Sequence, residues 1–405
     1  MATLNPFKAV RPKKELAAEI CELPYDVLSS AEAREAAQGA PLSFFHVSKP
    51  EIDLPEDTDP YSDAVYAKGA ENFQQLISQG ALYQDEKACF YLYRQIMGEH
   101  SQTGLVAAAS SQEYLDEVIK KHEFTRPDKE NDRVRHIEAL NAQTGPVFLT
   151  YKSRPELDQI FKEQSDKDPC VDFTAPDGVR HTAWTIDTDA VIERIETLLS
   201  EIQTLYIADG HHRSAAAGRI FESRQGSGNS GGFLTVVFPH DQMQILAYNR
   251  AVKDLNGRRP EEILSTLEGL GDLEESDTPV DPANKNELGI YMGNHWYRFR
   301  FSQDVAQKGS AVDQLDVSLL QNHVLSPLLA IDDPRKSDRI SFVGGIRGVG
   351  ELVKMVDSGR YAIAFSMHPT RIEDLMCISD EGGIMPPKST WFEPKLRDGM
   401  FTHLI

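Results

Sequence analysis

The sequence has few cysteines, no long hydrophobic run and no excess of basic residues. Its four cysteines form no Cys-x-x-Cys pair, which argues against a disulfide framework or a zinc cage and favours a reducing compartment. No apolar run approaches the ~20 residues needed to span a bilayer, and residues 1–8 lack the apolar core of a signal peptide. We therefore expect a cytoplasmic protein without a membrane partner.

The charge balance argues against nucleic acid as a partner. A formal net charge of −21 over 405 residues disfavours a broad nucleic-acid interface, which needs a basic face. The sequence also contains neither the Walker pattern nor a Gly-x-Gly-x-x-Gly fingerprint. A chain of this length exceeds one compact core, so we expect two lobes, over residues 1–253 and 254–405.

Apolar spacing and turn residues predict a mixture of helices and strands. Residues 61–79 have helical spacing and residues 312–329 are amphipathic, whereas 42–47 and 147–151 have strand character. Residues 171–186 predict a hairpin, since Asp177-Gly178 suits a tight turn. We expect an α+β fold.

The stretch over residues 204–221 holds the densest group of polar side chains. Residues 205–208 predict a short strand and residues from 214 onward predict a helix. The turn between them contains Asp209, Gly210, His211, His212 and Arg213. Free N–H groups at a helix N-terminus favour an anion, and an arginine adds a bidentate phosphate donor. The alternative is an ordinary Asp-Gly turn with capped side chains, but five polar residues favour a phosphate site.

Other candidate residues lie far from this turn in the sequence. Glu123 is a candidate general base, or it caps or pairs with a nearby arginine. Asp26 is either a site carboxylate or a turn cap, and Arg250 is either a site residue or half of an exposed ion pair. The C-terminal segment forms a cationic cluster suited to a phosphorylated metabolite, or a strand with exposed lysines; its candidate substrate ligands are Lys388, Ser389, Thr390 and Lys395.

Several sequence blocks together resemble one family, the proteins with domain of unknown function 1015. The blocks follow the family's order over nearly the whole chain: Pro24-Tyr25-Asp26-Val27, His122-Glu123-Phe124-Thr125, Ile207 to Arg213, Tyr248-Asn249-Arg250, Leu315-Asp316-Val317 and Met385 to Lys395.

The Asp-Gly-His-His-Arg turn also resembles the phosphate-binding motif of the ParB/sulfiredoxin superfamily, which includes free-serine kinases. That resemblance implies a mixed-sheet core with large insertions, followed here by a second, C-terminal α/β lobe whose tail returns to the site. It implies that Gly210, His212 and Arg213 bind nucleotide phosphates. It also implies catalytic roles for Glu123, as the base toward the serine hydroxyl, and for Asp209, to which we add His211.

The predicted function is phosphoryl transfer to a small hydroxylated metabolite, with free L-serine as the preferred acceptor. The donor is ATP or ADP with Mg²⁺, and no side chain is assigned to a resident metal. One alternative is phosphoserine hydrolysis in the same site, or a metal-dependent hydrolase with Asp209, His211, His212 and Glu123 as ligands. Another is a ParB-like nucleotide-binding regulator, which the acidic charge disfavours.

Overall fold

The computed structural model describes residues 2–405, which form two compact units. The first contains Met1–Met243 and Pro394–Ile405, and the second contains Gln244–Glu393. The chain therefore leaves the first unit once and returns to it at Pro394. The lobes predicted from the sequence follow the same order but have different bounds.

The first unit alternates strands and helices up to residue 239. Its strands are β1 (Leu4–Asn5), β2 (Val10–Pro12), β3 (Leu82–Gln84), β4 (Phe90–Met97), β5 (His100–Ser110), β6 (Ile119–Lys120), β7 (Ala142–Gln143), β8 (Val147–Tyr151), β9 (Val171–Thr174), β10 (Arg180–Ile186), β11 (Leu205–Asp209) and β12 (Gly232–Pro239). Its helices are α1 (Ala17–Ile20), α2 (Ser30–Ala36), α3 (Phe45–Ser48), α4 (Asp63–Ser78), α5 (Ser111–Leu115), α6 (Pro127–Leu140), α7 (Pro155–Ser165), α8 (Asp189–Leu199) and α9 (His211–Arg224).

A nine-stranded mixed sheet forms the centre of the first unit. Its order is β6-β11-β8-β12-β5-β4-β10-β9, with β1 paired to β5. β11 is parallel to β6 and antiparallel to β8, while β12 is parallel to β8. Every residue of β8 is buried, as expected for a strand covered on both faces. β11 is therefore held on both edges, which fixes the position of the turn that follows it.

The second unit is built on an antiparallel sheet. Its strands are β13 (Gln244–Leu246), β14 (Tyr248–Val252), β15 (Gly271–Ser276), β16 (Glu287–Met292), β17 (His295–Phe301), β18 (Ile340–Gly344), β19 (Ile363–Met367) and β20 (Trp391–Glu393). Its helices are α10 (Pro260–Glu268), α11 (Gln303–Ala306), α12 (Asp316–Leu320), α13 (Val349–Asp357) and α14 (Ile372–Asp380). Six strands pair in the order β15-β17-β16-β19-β14-β18.

The C-terminal segment belongs to the first unit. Its strand β21 (His403–Leu404) pairs with β7, and backbone bridges join Glu22 to Asp398 and Val10 to Thr402. These backbone pairs fix residues 395–398 within the first unit.

The predicted α+β class with a large mixed sheet and a second strand-rich region is confirmed. The strand at 147–151 and the hairpin at 171–186 are also confirmed, and the helix predicted over 61–79 is α4. The strand predicted over 42–47 is wrong, because that segment contains the short helix α3. No helix within residues 2–405 combines the length and apolar character needed to cross a membrane.

Candidate functional site

The turn after β11 has the strand-to-helix geometry that the sequence predicts. β11 ends at Asp209, Gly210 has φ +99°, and α9 begins at His211. A positive φ of this size favours glycine, because a side chain would be strained there. The helix begins three residues before the predicted start at Ser214, so the predicted phosphate ligands His212 and Arg213 lie in its first turn. Its unpaired N–H groups and positive dipole end favour an anion.

The Arg213 guanidinium lies against the Gly210 backbone. A Cβ built on Gly210 would lie 3.1 Å from Arg213 Nε, a tight contact that adds to the preference for glycine set by φ. Arg213 also donates to the Pro146 carbonyl and is only 8% exposed. Burial disfavours its charge, but the nearby carboxylates of Asp26 and Asp209 raise its pKa. Arg213 is therefore a buried, permanent cation beneath the turn.

Asp209 is held between two cations. Its Oδ2 accepts from Lys395 Nζ at 3.1 Å, and its Oδ1 lies 3.7 Å from Arg213 Nη2. Burial favours the protonated carboxyl, but Lys395 and Arg213 outweigh it and hold the pKa of Asp209 well below its usual value. The side chain is 32% exposed. The structure thus brings Lys395 to the turn as an ion-pair partner of Asp209.

His211 lies beside Glu123 and His122. Its Nδ1 is 4.0 Å from Glu123 Oε2, and its Nε2 accepts from the His122 backbone N–H at 3.4 Å. Burial, with His122 adding to it, lowers the pKa of His211 well below the usual value. The ring is therefore neutral, and with Nε2 as acceptor its proton lies on Nδ1, facing Glu123.

The loop that carries Glu123 is attached to both histidines of the turn. Besides the contact from His122 to His211, the Arg126 backbone N–H donates to His212 Nε2 at 3.1 Å. Burial lowers the pKa of His212, so its ring is a neutral acceptor for this bond. In this structure His212 positions the loop, and its predicted role with phosphate stays a prediction.

His122 is a residue that the sequence analysis did not select. The side chain is 2% exposed. Burial lowers its pKa to about 4, although a hydrogen bond to the Ile207 backbone acts in the opposite direction. Its proximity to Glu123 in the sequence was the available signal, but the contact with Ile207 joins the loop after β6 to β11, which is distant in the chain.

A small cavity with both polar and apolar lining adjoins Arg213. Its volume is about 30 Å³, which has room for about two water molecules and none for a nucleotide. Three buried lining atoms, Arg213 Nε, Gln143 Nε2 and Asp398 Oδ1, have no hydrogen-bond partner within residues 2–405. Burial raises the pKa of Asp398 to about 7 against the opposing effect of Arg213. The charged and aromatic lining residues are Tyr25, Arg133, His136, Arg213, Phe233 and Asp398.

Asp26 lies in an exposed turn of the first unit. Its carboxylate is close enough to raise the pKa of Arg213 and of Asp398. It therefore belongs to the electrostatic environment of the turn after β11.

Two predicted substrate ligands, Arg250 and Lys388, contact each other in the second unit. Arg250 is buried, donates to the Lys388 carbonyl at 3.0 Å and to the Tyr248 carbonyl, and lies 5.5 Å from the Phe342 ring. Burial lowers its pKa to about 10. Lys388 is exposed and has φ +59°. Arg250 is thus satisfied inside the second unit, and its substrate role stays a prediction.

The neighbouring Ser389 and Thr390 also lie in the second unit. Ser389 Oγ donates to the Pro386 carbonyl at 2.6 Å, and its own carbonyl accepts from Thr370 Oγ1 at 2.8 Å. Thr390 is partly exposed. These bonds hold the turn before β20, and the predicted contact of both residues with substrate stays a prediction.

Comparisons with known proteins add a family and several solved structures. A family model described as "Protein of unknown function (DUF1015)" matches residues 4–318, and no curated protein matches the chain. A free serine kinase in complex with AMP is 14% identical, with 71% of this chain and 86% of that chain covered and a TM-score of 0.35. SbnI with a C-terminal truncation, from Staphylococcus aureus, is 12% identical, with 72% and 85% covered and a TM-score of 0.38. A conserved hypothetical protein from Pyrococcus furiosus is 14% identical, with 73% and 93% covered and a TM-score of 0.34.

Proposed function

The chain belongs to the family described as "Protein of unknown function (DUF1015)", and on that premise we propose that it is a nucleotide-dependent phosphotransferase. Its acceptor is the hydroxyl group of a small metabolite, with free L-serine as the preferred substrate. The observation that carries this proposal is the turn after β11, where a helix N-terminus, two cations and an accessible carboxylate lie together. Phosphoryl transfer needs little more than alignment, charge neutralisation and a proton acceptor.

The phosphate would bind at the first turn of α9. The N–H groups there supply donors, and Gly210 leaves the backbone open to a close approach. Arg213 is buried beneath this turn and contributes a fixed positive charge. Lys395 is the second cation and would bind the transferring phosphate or a substrate carboxylate. Together they favour the charge that spreads over the phosphoryl oxygens during transfer.

Glu123 would accept the proton of the attacking hydroxyl. It is 45% exposed, so a substrate can reach it, and the neutral His211 presents its Nδ1–H toward the carboxylate. The carboxylate lies 4.0 Å from that nitrogen, beside the helix N-terminus where the phosphate would bind, which is where a general base for the attacking hydroxyl is needed. His211 thus acts by positioning Glu123.

Mg²⁺ would enter with the nucleotide, whose phosphate oxygens supply most of its ligands. Asp209 fits as the protein ligand, because its carboxylate is partly exposed at the end of β11. The cation would supply further neutralisation of the phosphates. The predicted substrate contacts of Asp26, Arg250, Lys388, Ser389 and Thr390 remain part of the proposal.

The test is a ³¹P NMR screen of the full chain with Mg²⁺ and ATP or ADP against each free amino acid. We expect phosphoserine as the product. Glu123→Gln should lower kcat by about 10²- to 10⁴-fold, the usual contribution of a general base, while Glu138→Gln on the exposed face of α6 should retain wild-type turnover.

Failure of every amino acid to accept phosphate would disprove serine as the acceptor. Equal turnover in wild type and Glu123→Gln would disprove the assigned base. Incubation of phosphoserine without ADP gives the hydrolysis control, and phosphate release there would support the phosphatase alternative instead.

A further inference from the structure

Three side chains beside the turn could hold a metal ion. His122, Glu123 and His211 each offer one ligand atom, and these atoms all lie within 4.8 Å of one another. His122 and Glu123 come from the loop after β6, and His211 comes from the first turn of α9. Two imidazoles with one carboxylate suit zinc and its transition-metal neighbours, whereas Mg²⁺ prefers oxygen ligands alone.

The surroundings of His122 supply a second, independent observation. Its Nδ1 is buried and has no hydrogen-bond partner within residues 2–405, which is costly for a buried polar atom. The ring is hydrogen-bonded to the Ile207 backbone, so the other nitrogen makes that bond. A histidine that donates one N–H to a backbone carbonyl presents a lone pair on the other nitrogen, as metal-binding histidines do.

We propose that His122, His211 and Glu123 bind one divalent transition-metal ion, with Zn²⁺ as the preferred ion. The site is distinct from the Mg²⁺ that would accompany a nucleotide, and it gives His122 a role that phosphoryl transfer does not. Three protein ligands, of which only Glu123 is exposed, leave at least one position for water or another ligand.

The distances allow coordination after a small movement. Two ligands of a tetrahedral zinc ion lie about 3.4 Å apart when each bond is about 2.1 Å, and His211 Nδ1 is 4.0 Å from Glu123 Oε2. Glu123 is half-exposed and can close this difference. A metal on His211 Nδ1 places the ring proton on Nε2, so binding breaks the 3.4 Å contact from the His122 backbone N–H.

One consequence rests on the proposed function. A metal ion bound to Glu123 takes one of its lone pairs and withdraws electron density from the carboxylate, so the carboxylate becomes a weaker acceptor for the hydroxyl proton. Zinc should therefore inhibit phosphoryl transfer, and a chelator should restore it.

The experiment titrates chelator-treated full-length protein with ZnCl₂ by calorimetry in the absence of nucleotide. We expect one zinc ion per chain, with binding weakened at least 100-fold in His122→Gln and in Glu123→Gln. His100→Gln, a histidine outside this cluster, is the matched control and should bind as wild type does. Cobalt absorption in the visible range should report imidazole coordination in wild type and lose intensity in both cluster variants.

Equal zinc affinity in wild type and Glu123→Gln would overturn the site, and this exposed position keeps the test valid if His122→Gln does not fold. Binding of zinc to a chain without kinase activity would support the site and reject only the inhibition. Kinase activity with no zinc binding would reject the site and leave phosphoryl transfer standing.

Discussion

Two carboxylates, one in each unit, face two cations and yet sit in very different surroundings. Glu287 opens β16 and is 0% exposed. It accepts from Arg300 at 3.1 Å and Asn284 at 3.2 Å, and also from Arg298. Arg300 lies directly opposite it across the β16–β17 hairpin. All of its partners thus come from one local stretch of chain.

Asp209 closes β11 and takes its partners from distant parts of the chain. Arg213 is in the following helix, while Lys395 arrives from the C-terminal segment. Burial raises the pKa of both carboxyl groups, but their partners outweigh burial and leave each pKa below its usual value. These partners are Lys395 and Arg213 for Asp209, and Asn284, Arg300 and Arg298 for Glu287. The difference is access: Glu287 is enclosed, whereas Asp209 ends a strand beside an open helix N-terminus. An ion pair therefore indicates a site only through its position in the fold.

The largest effect in this comparison is expected from Asp209→Asn. The variant keeps the size of the side chain but removes the charge that holds Lys395, so the proposed phosphoryl transfer should fall about 10²- to 10³-fold. Steady-state kinetics of phosphoserine formation measures this loss. Wild-type kcat in Asp209→Asn would show that Asp209 is as purely structural as Glu287.

Glu287→Gln should give the opposite result. Loss of the charge weakens its bonds to Arg298 and Arg300, and the free energy of unfolding should fall by about 1–2 kcal/mol because both arginines are partly exposed. Urea denaturation measures this change, and phosphoserine formation should stay at the wild-type rate. A stable variant with reduced turnover would contradict the structural assignment of Glu287.

Asp398 differs from Asp209 and Glu287, because burial affects its pKa more than its arginine neighbours do. Its pKa is raised to about 7 from an ordinary value of 3.8, so between these values the folded state binds more proton than the unfolded state. Stability from this group is complete below about pH 4 and falls as pH rises toward 7, by about 1 kcal/mol per pH unit.

Paired urea denaturations of wild type and Asp398→Asn between pH 4.5 and 7.5 isolate the contribution of Asp398 to stability, since the other titratable groups are the same in both proteins. The stability of wild type relative to the variant should decrease as pH rises. Asp168→Asn, at an exposed position, serves as the matched control. A difference independent of pH would contradict the raised pKa of Asp398.

Local sequence patterns correctly predicted the helices and strands that depend on contacts between residues close together in the sequence. The apolar run 205–208 and the Asp177-Gly178 turn gave correct strands. The segment 42–47 was misassigned because its strand-forming residues Phe44 and Val47 pack one helical turn apart, in the core formed with α4. The helix predicted over 312–329 is α12 followed by a π turn over Gln321–Leu325, a change of hydrogen bonding that apolar spacing does not report.

The same distinction between local and long-range contacts applies to the candidate site. The cluster Asp209–Arg213 could be predicted, because its motif and the helix-terminus chemistry lie within a few residues. The choice of Glu123 as its partner came only from the resemblance to free-serine kinases. His122 and Asp398 could not, since their properties depend on burial and on partners such as Ile207 and Arg213 that only the folded chain supplies. The assignment of Arg250, Lys388, Ser389 and Thr390 to substrate rests on the sequence alone.

The return of the chain to the first unit at Pro394 has a consequence for biosynthesis. Ribosomes make proteins from the N-terminus, and domains fold as they emerge. All of Gln244–Glu393 is translated before Lys395. The ion pair between Asp209 and Lys395 can therefore form only after the whole second unit has left the exit tunnel. The charged turn is therefore completed only after the second unit has been translated, and a nascent chain stalled within the second unit would carry an Asp209 that still lacks Lys395.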